Sequence, residues 1–328
     1  TATAARAIVM GPESHATAED ALAIGNKNTV ASARTYAIGN NINVAAGADD
    51  SLVFGTRANV GGESSIAMGN TAQATSNHAI AIGRDSLANG SDGAVAVGRK
   101  ATANANAGAM SIGYDAVTTG KSGIAQGYHA HTNAQSGLAI GDNAKASGIG
   151  QVAIGYASNA QKADIDKVAT AAPNKADYAV TVGHYAGADY TGTNNIRTTL
   201  VGDSAGRYGE EGTQNTAVGS LAGMYVKGSN NVALGMGAGS GSAAEKLEAS
   251  ETISIGHNSK ASAAYSTAIG SEAKARGIDS IAMGLGAIVE DAAGFDGIAI
   301  GTRAKAKEKG MAVGAYSQAN GVESGVFA

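Results

Sequence analysis

The sequence predicts an all-β protein that winds into a solenoid of parallel β-strands, with coils of 14–15 residues. The first observation is a short phrase that returns throughout the 328 residues: an aliphatic residue, a small residue, an aliphatic residue and a glycine. The second is composition, because 48 Gly with only 2 Pro, 3 Phe and no Trp indicates frequent turns and too few large side chains for one globular core. The third is the period, which is too short for helical repeats of about 30 residues or more.

The phrase is clearest in Ile80-Ala81-Ile82-Gly83, and its glycine is called here the anchor of the coil. Up to Gly155 most anchors lie 14 or 15 residues apart, which suits a coil of two short strands and two bends. The twenty anchors are Gly11, Gly25, Gly39, Gly55, Gly69, Gly83, Gly98, Gly113, Gly127, Gly141, Gly155, Gly183, Gly202, Gly219, Gly235, Gly256, Gly270, Gly284, Gly301 and Gly314.

The phrase also predicts which side chains face inward. Because side chains alternate between the faces of a strand, the two aliphatic residues share one face and the small residue takes the other. We expect aliphatic pairs such as Ile80 and Ile82 to fill the coil, with the Ala or Ser three residues after the anchor lining a second strand. The small residues would then face outward and pack against another copy of the chain. These predicted partner-facing residues include Ala67, Ala81, Ala96, Ala139, Ala153, Ala282 and Ala299.

Breaks in the period divide the chain into five segments. Residues 1–161 and 252–328 carry regular coils, and residues 178–241 carry longer coils with an Ala-Gly pair after the anchor. Residues 162–177 form an insert, predicted as an ordered loop or a short helix that ends before Pro173. In the second insert, 242–251, a capping-box pattern predicts a short helical excursion. Because the chain begins and ends within the repeat, we expect it to be part of a longer protein.

The Ala79-Ile80-Ala81-Ile82-Gly83 phrase, with a small residue three places on at Ser86, resembles the head repeat of YadA-like trimeric autotransporter adhesins of Gram-negative bacteria. The resemblance covers residues 1–161 and 252–328 strongly and residues 178–241 in weakened form. It implies a left-handed parallel β-roll, a homotrimer and a position at the bacterial cell surface. The handedness comes from the resemblance alone, since general crossover statistics favour right-handed connections. The longer coils also look like repeats of trimeric phage tail-fibre-type proteins.

Composition and motifs argue against several functional classes. A net charge of −4 makes general attraction to nucleic acid unexpected, and the absence of Cys removes disulfides and thiolate metal sites. The G-x-S-x-G pattern at 202–206 falls in phase with the repeat, so we interpret it as structural rather than as a hydrolase nucleophile. His129 and His131 are two residues apart, which leaves open a metal site with a third ligand, or two solvated side chains. No enzymatic activity and no cofactor are expected.

Three sets of outward residues are candidates for ligand binding, with solubility, edge protection or packing across the trimer as the alternative explanation. A basic stripe is predicted from coils that stack in register: Lys260, Lys274 and Lys305, interrupted by Ile288, with Arg276 and Lys307 two residues further along their strands. A second basic patch lies near the first bend and contains Arg57, Arg84, Arg99 and Lys100. An aromatic set directly follows three anchors and contains Tyr114, Tyr128 and Tyr156.

These features favour an adhesin head that attaches a bacterium to host cells, extracellular matrix or other bacteria through a multivalent trimer. The alternative is a passive spacer of a surface or phage-type fibre that presents a binding tip elsewhere. Expected partners are two identical chains and a host protein, glycan or partner bacterium, with no nucleic acid. Membrane association would come only through a C-terminal anchor in the outer membrane, outside this sequence.

Overall fold

A computed structural model describes residues 1–90, 92–105, 107–160, 177–190, 196–210, 212–290 and 295–328. These residues form short parallel strands joined by tight turns, without a helix. They divide into two compact units, the first ending at Gly150 and the second beginning at Gln151. The described part of the chain therefore contains no helix long and apolar enough to cross a membrane.

The first unit alternates longer and shorter strands. Its strands are β1 (Ile8–Met10), β2 (His15–Ala16), β3 (Leu22–Asn26), β4 (Thr29–Val30), β5 (Tyr36–Asn40), β6 (Asn43–Val44), β7 (Leu52–Thr56), β8 (Asn59–Val60), β9 (Ile66–Met68), β10 (Gln73–Ala74), β11 (Ile80–Ile82), β12 (Leu87–Asn89), β13 (Val95–Val97), β14 (Thr102–Asn104), β15 (Met110–Ile112), β16 (Val117–Thr118), β17 (Ile124–Gln126), β18 (His131–Thr132), β19 (Leu138–Ile140) and β20 (Lys145–Ala146). Odd-numbered strands form the first sheet, and even-numbered strands form a 3-stranded and a 7-stranded sheet opposite.

The second unit repeats this plan with fewer second strands. Its strands are β21 (Val152–Ile154), β22 (Val180–Val182), β23 (Thr199–Val201), β24 (Thr216–Val218), β25 (Val232–Leu234), β26 (Ile253–Ile255), β27 (Lys260–Ala261), β28 (Thr267–Ile269), β29 (Lys274–Ala275), β30 (Ile281–Met283), β31 (Ile288–Val289), β32 (Ile298–Ile300), β33 (Lys305–Ala306), β34 (Met311–Val313), β35 (Gln318–Ala319) and β36 (Gly325–Phe327). Strands β27, β29, β31, β33 and β35 form a 5-stranded sheet opposite the first.

Successive coils stack without a slip in register. Ile80 pairs with Ile66 of the preceding coil and with Val95 of the following coil, and the pairing is parallel in both cases. The prediction of an all-β parallel solenoid is thus confirmed, with one first-sheet strand for each of about 21 turns. The left-handedness stays an implication of the family resemblance.

The prediction of which side chains face inward was wrong. Ala81 is 0% exposed within its own chain, whereas Ile82 is 37% exposed and Ile80 is half-buried. The residues predicted to face a partner all lie inside their own coils: Ala67, Ala81, Ala96, Ala139, Ala153, Ala282 and Ala299. The inward residues of the second strands are also small, as at Ala74 and Ala88. Two sheets joined by such tight bends leave room only for small side chains, mostly Ala and at some positions Val or Thr, such as Val30, Val53 and Thr118, so the larger aliphatic pairs are displaced to the outside.

The anchor glycines are required by the close approach of neighbouring coils. Gly83 has φ +127°, and a Cβ added there would lie 2.5 Å from the Gly98 carbonyl oxygen. The same relation recurs from anchor to anchor along both units. Each regular coil also bends through a left-handed residue two positions after its anchor and another five positions before the next anchor. Asp85 (φ 58°) and His78 (φ 55°) are examples of the two bends.

The longer coils replace the second strand by turns. Between β22 and β26 no second strand is present among the described residues. The glycine of each Ala-Gly pair is left-handed, as in Gly187 and Gly206 with φ 63°. These coils are wider and enclose larger side chains, including Leu200 and Tyr190, which are 3% and 4% exposed.

The two inserts have different outcomes. The prediction of a loop or short helix at 162–177 lies, except for Asp177, outside the described residues. In 242–251 the predicted helix is absent. The Glu245 N–H does donate to Ser242 Oγ (3.1 Å), as a cap would, but the segment then continues extended and Leu247 pairs with Val226. A capping pattern without an apolar helical run after it closes only a single turn.

Candidate functional site

The outer face of the first sheet is predominantly apolar in both units, with Gln126 as a polar interruption in the first. In the first unit Phe54 is 50% exposed and Met68 is 36% exposed, and in the second unit Met283 is 40% exposed. Their partners in neighbouring strands are again aliphatic, as in the pairing of Met283 with Ile269 and Ile300. A soluble monomer rarely exposes a continuous apolar face of this kind, so the face needs a covering partner.

The bend after the anchors brings together residues of two sets that the sequence analysis treated separately, the second basic patch and the aromatic set. Arg84, Arg99, Tyr114 and Tyr128 each follow an anchor in four successive coils. Backbone hydrogen bonds hold these bends in register, as where the His129 N–H donates to the Tyr114 carbonyl oxygen (3.0 Å). They form one column of cations and aromatic rings, called here the corner column.

Ring stacking fixes the geometry of the corner column. The Tyr114 and Tyr128 rings are parallel with centroids 5.3 Å apart, and the Arg99 guanidinium carbon lies 5.1 Å from the Tyr114 centroid. His129 stacks on Tyr128 at 3.9 Å, and its Nε2 lies 3.5 Å from an Asp115 carboxylate oxygen. The column offers rigid aromatic area next to cations, which is a common composition of binding hot spots.

The other members of the predicted patches lie outside the corner column. Lys100 is two residues after its anchor, beside Arg99 in sequence, whereas one full coil separates the bend of Arg57 from that of Arg84. Tyr156 belongs to the second unit, where its ring stacks on His184 at 5.3 Å. The structure therefore brings together the two arginines and two tyrosines of the corner column, and places Tyr156 in a different cluster.

That second cluster escaped the sequence analysis. The guanidinium carbon of Arg207 lies 4.3 Å from the Tyr185 ring centroid and 4.6 Å from the Tyr208 centroid, and its Nη2 donates to Asp189 at 3.0 Å. Tyr208 in turn stacks on Tyr225 at 4.8 Å. The signal that could have found it is the repeated Ala-Gly-x-Tyr at 205–208 and 222–225. Arg207 and Asp189 are largely buried, so this cluster stabilises the longer coils.

A second missed feature is a charge ladder at the N-terminal end. Arg6 donates from Nε and Nη2 to Asp20 (2.6 and 2.8 Å), and Arg34 does the same to Asp50 (2.5 and 2.8 Å). The hydrogen bond from each guanidinium lowers the pKa of its carboxyl below the usual value. The signal is the alternation of Arg and Asp five residues before successive anchors.

The predicted basic stripe is assembled on the second sheet of the second unit. Lys260 pairs with Lys274, Lys274 with Ile288, and Ile288 with Lys305. Arg276 and Lys307 are exposed two residues further along their coils, on the same face. One ion pair interrupts the positive charge, where the Lys305 ammonium lies 3.7 Å from a Glu290 oxygen. An open groove on this face is lined by Glu245, Lys260, Ser262, Lys274, Arg276 and Glu290.

The two histidines considered for a metal occupy different parts of their coil. His129 lies at the bend, whereas His131 lies in β18 next to Lys145. Burial, and then the nearby Lys145 charge, lower the pKa of His131 from the usual 6.5. Within the described ranges no group of three His, Cys, Asp or Glu side chains is arranged to hold a metal ion.

The G-x-S-x-G pattern follows from the repeat. Ser204 stands two residues after its anchor with φ 54°, the same left-handed bend position as Asp85. Its N–H donates to the His184 carbonyl oxygen (2.8 Å), as bend residues do in other coils. The serine therefore serves the turn, and no strand-to-helix elbow surrounds it.

Comparison with known families gives a repeated match. The YadA head domain repeat (2 copies) matches residues 2–28, 46–70, 61–86, 133–158, 249–273 and 264–287. The chain carries YadA-like head repeats in both of its units. A comparison with curated protein sequences gives no match. The YadA head family suggests an adhesin-type function at a cell surface, on a fold that is typically non-enzymatic.

The matched repeats and the candidate surfaces overlap only in part. Lys260 and Lys274 of the basic stripe lie inside matched residues, as does Arg84 of the corner column. Arg99, Tyr114 and Tyr128 lie in the unmatched stretch between 86 and 133. The unmatched stretch nevertheless contains the anchors Gly98, Gly113 and Gly127 and the same buried small residues.

Proposed function

We propose that this YadA-like head domain is the binding part of a homotrimeric adhesin, anchored in the outer membrane of a bacterium by a segment beyond this sequence. It attaches the cell to host cells, extracellular matrix or other bacteria, and it has no enzymatic activity. Its partners are two identical chains and a surface protein or glycan, and nucleic acid is not among them.

The apolar outer face of the first sheet carries the proposal of a trimer. This face recurs in coil after coil, with exposed side chains such as Phe54, Met68 and Met283. An identical chain is the partner that matches it, because only a partner with the same repeat presents apolar rows at the same spacing. Three copies then display every outward binding residue three times, which converts weak contacts into firm attachment.

The corner column supports the proposal of direct binding. Tyr128 is 44% exposed at a bend, away from the apolar outer face, and Tyr114 stacks on it. Exposed tyrosines held in place by their neighbours lose little conformational entropy when they contact a ligand. Aromatic rings beside Arg99 suit a glycan or protein surface that offers both apolar patches and anionic groups.

The test is attachment of the purified head domain to matrix proteins, glycans and whole cells. We expect binding to at least one of these surfaces, and a double variant Arg99→Ala/Tyr128→Ala should weaken it by about tenfold or more. Ser271→Ala, at the same repeat position in the second unit, is the matched control and should bind like the wild type. A head domain that binds none of these surfaces would favour the passive spacer.

A further inference from the structure

The basic stripe differs from every equivalent surface in the first unit. On β27, β29, β31 and β33 and the residues directly following them, the outward positions hold five cations and one carboxylate. The members are Lys260, Lys274, Arg276, Glu290, Lys305 and Lys307. These positions lie four and six residues after the anchors, and the inward residue between them is Ala or Val.

The same outward positions from β2 to β18 carry no Lys, Arg, Asp or Glu, and in the last second strand of the unit, β20, Lys145 is buried rather than exposed (2%). They hold residues such as Thr29, Asn43, Asn59 and Gln73, which are uncharged. The repeat therefore folds and stacks without charge at these positions, and edge protection or solubility does not require it there. In a protein of net charge −4, these five cations share one sheet, whereas the second strands of the first unit expose no cation at the equivalent positions.

The arrangement is linear and regular. Parallel pairing places Lys260 beside Lys274, at the strand spacing of about 4.8 Å, and Lys305 two strands further on. Arg276 and Lys307 form a second row parallel to the first. A ligand that lies along the stacking direction meets cations at intervals of one or two strands. A polymer with anionic groups repeated along its length fits this surface better than a single compact anion.

The chemistry of the stripe favours a polysaccharide over a nucleic acid. No aromatic side chain stands among its outward residues, so unpaired bases have no ring to stack on. The head domain as a whole is acidic and would repel the dense charge of a duplex beyond the stripe. A flexible chain with sulfate or carboxylate groups can follow one narrow basic row.

We propose that the five-stranded sheet of the second unit binds a linear anionic polysaccharide along the row Lys260–Lys274–Lys305, with Arg276 and Lys307 beside it. The polymer can come from a sulfated host matrix or from a carboxylated bacterial surface. This inference rests on the proposed adhesin function and names a ligand class for one of its surfaces. It is independent of the corner column, which lies in the first unit.

Binding of the intact head domain to immobilised heparin, followed over a salt series, tests the inference. The variant Lys274→Gln/Arg276→Gln should bind at least about tenfold more weakly and lose part of its salt dependence. The control Lys27→Gln/Lys121→Gln removes the same charge from the first unit and should bind like the wild type. Equal loss in both variants, or no wild-type binding to any anionic polysaccharide at low salt, overturns the inference.

Further binding measurements identify the chemical source of the polymer. They also distinguish failure of this inference from failure of the proposed adhesin function. Binding that persists with hyaluronan, which carries only carboxylates, supports a carboxylated polymer, and binding lost on desulfation of heparin supports a sulfated one. Equally tight binding of duplex DNA, lost in the same variant, overturns the assignment to polysaccharide. A head domain that adheres to cells but binds no anionic polysaccharide would retain the proposed function and lose this inference.

Discussion

Replacing Gly83 with alanine is expected to unfold the coil that contains it. The added Cβ would lie 2.5 Å from the Gly98 carbonyl oxygen and 2.6 Å from its carbon, and the φ of +127° is hardly accessible to other residues. Because backbone strain and the backbone displacement add, we expect a loss of roughly 2–6 kcal/mol in the free energy of unfolding. Urea unfolding followed by circular dichroism, with amide hydrogen exchange to localise the change, measures it.

Gly93→Ala is the matched control for this substitution. Gly93 belongs to the next coil and has φ +73°, but nothing lies within 4 Å of its Cβ position. Only the ordinary cost of a left-handed alanine, about 1–2 kcal/mol, should appear. If the two variants lost equal stability, the close approach of anchor to anchor would not be the reason for the repeated glycine.

Placing leucine at position 81 should destabilise the head domain, whereas leucine at position 82 should leave its stability nearly unchanged. Ala81 is fully buried between the two sheets of its coil. Ala81→Leu would therefore overpack the interior and lower the free energy of unfolding by about 1–3 kcal/mol or more. Ile82 points outward, and Ile82→Leu conserves its volume and its apolar surface. Thermal or urea unfolding of the two variants compares the same new side chain at neighbouring positions.

Thiol labelling gives an independent readout of the same prediction. The chain has no Cys, so Ala81→Cys introduces a single thiol that should stay unreactive until the protein unfolds. Rapid labelling of that thiol in the folded protein, or a larger stability loss for Ile82→Leu than for Ala81→Leu, would show instead that residue 81 faces outward and residue 82 faces inward.

The architecture was predictable because the same sequence of strand, anchor glycine and bend recurs in coil after coil. The period, the parallel stacking and the in-register basic stripe all follow from the anchor positions, and the structure agrees with each of them. The orientation of the strand could not be predicted in the same way. Both faces of Ile80-Ala81-Ile82 are apolar, so the alternation of side chains allows either face to point into the coil. The width of the coil decides which face does so.

The candidate surfaces were predictable only where equal spacing after the anchors places two residues side by side in adjacent coils. The pairing of Lys260 with Lys274 follows from equal spacing after two anchors, as does the stacking of Tyr114 on Tyr128. Arg99 joins these tyrosines because it too directly follows an anchor, a relation that the difference in side-chain chemistry hides. The Arg207 cluster was missed because its coils vary in length, so sequence spacing does not give spatial proximity there.

The molar mass of the head domain in solution tests the central claim most directly. The claim is that small residues fill the narrow coil, and that identical chains cover the aliphatic residues displaced to its outside. Light scattering over a dilution series should give about three times the chain mass of 32.0 kDa, with the β-rich circular dichroism of the folded protein. A folded, dispersed protein of 32.0 kDa, with its apolar outer face open to water, would contradict the account.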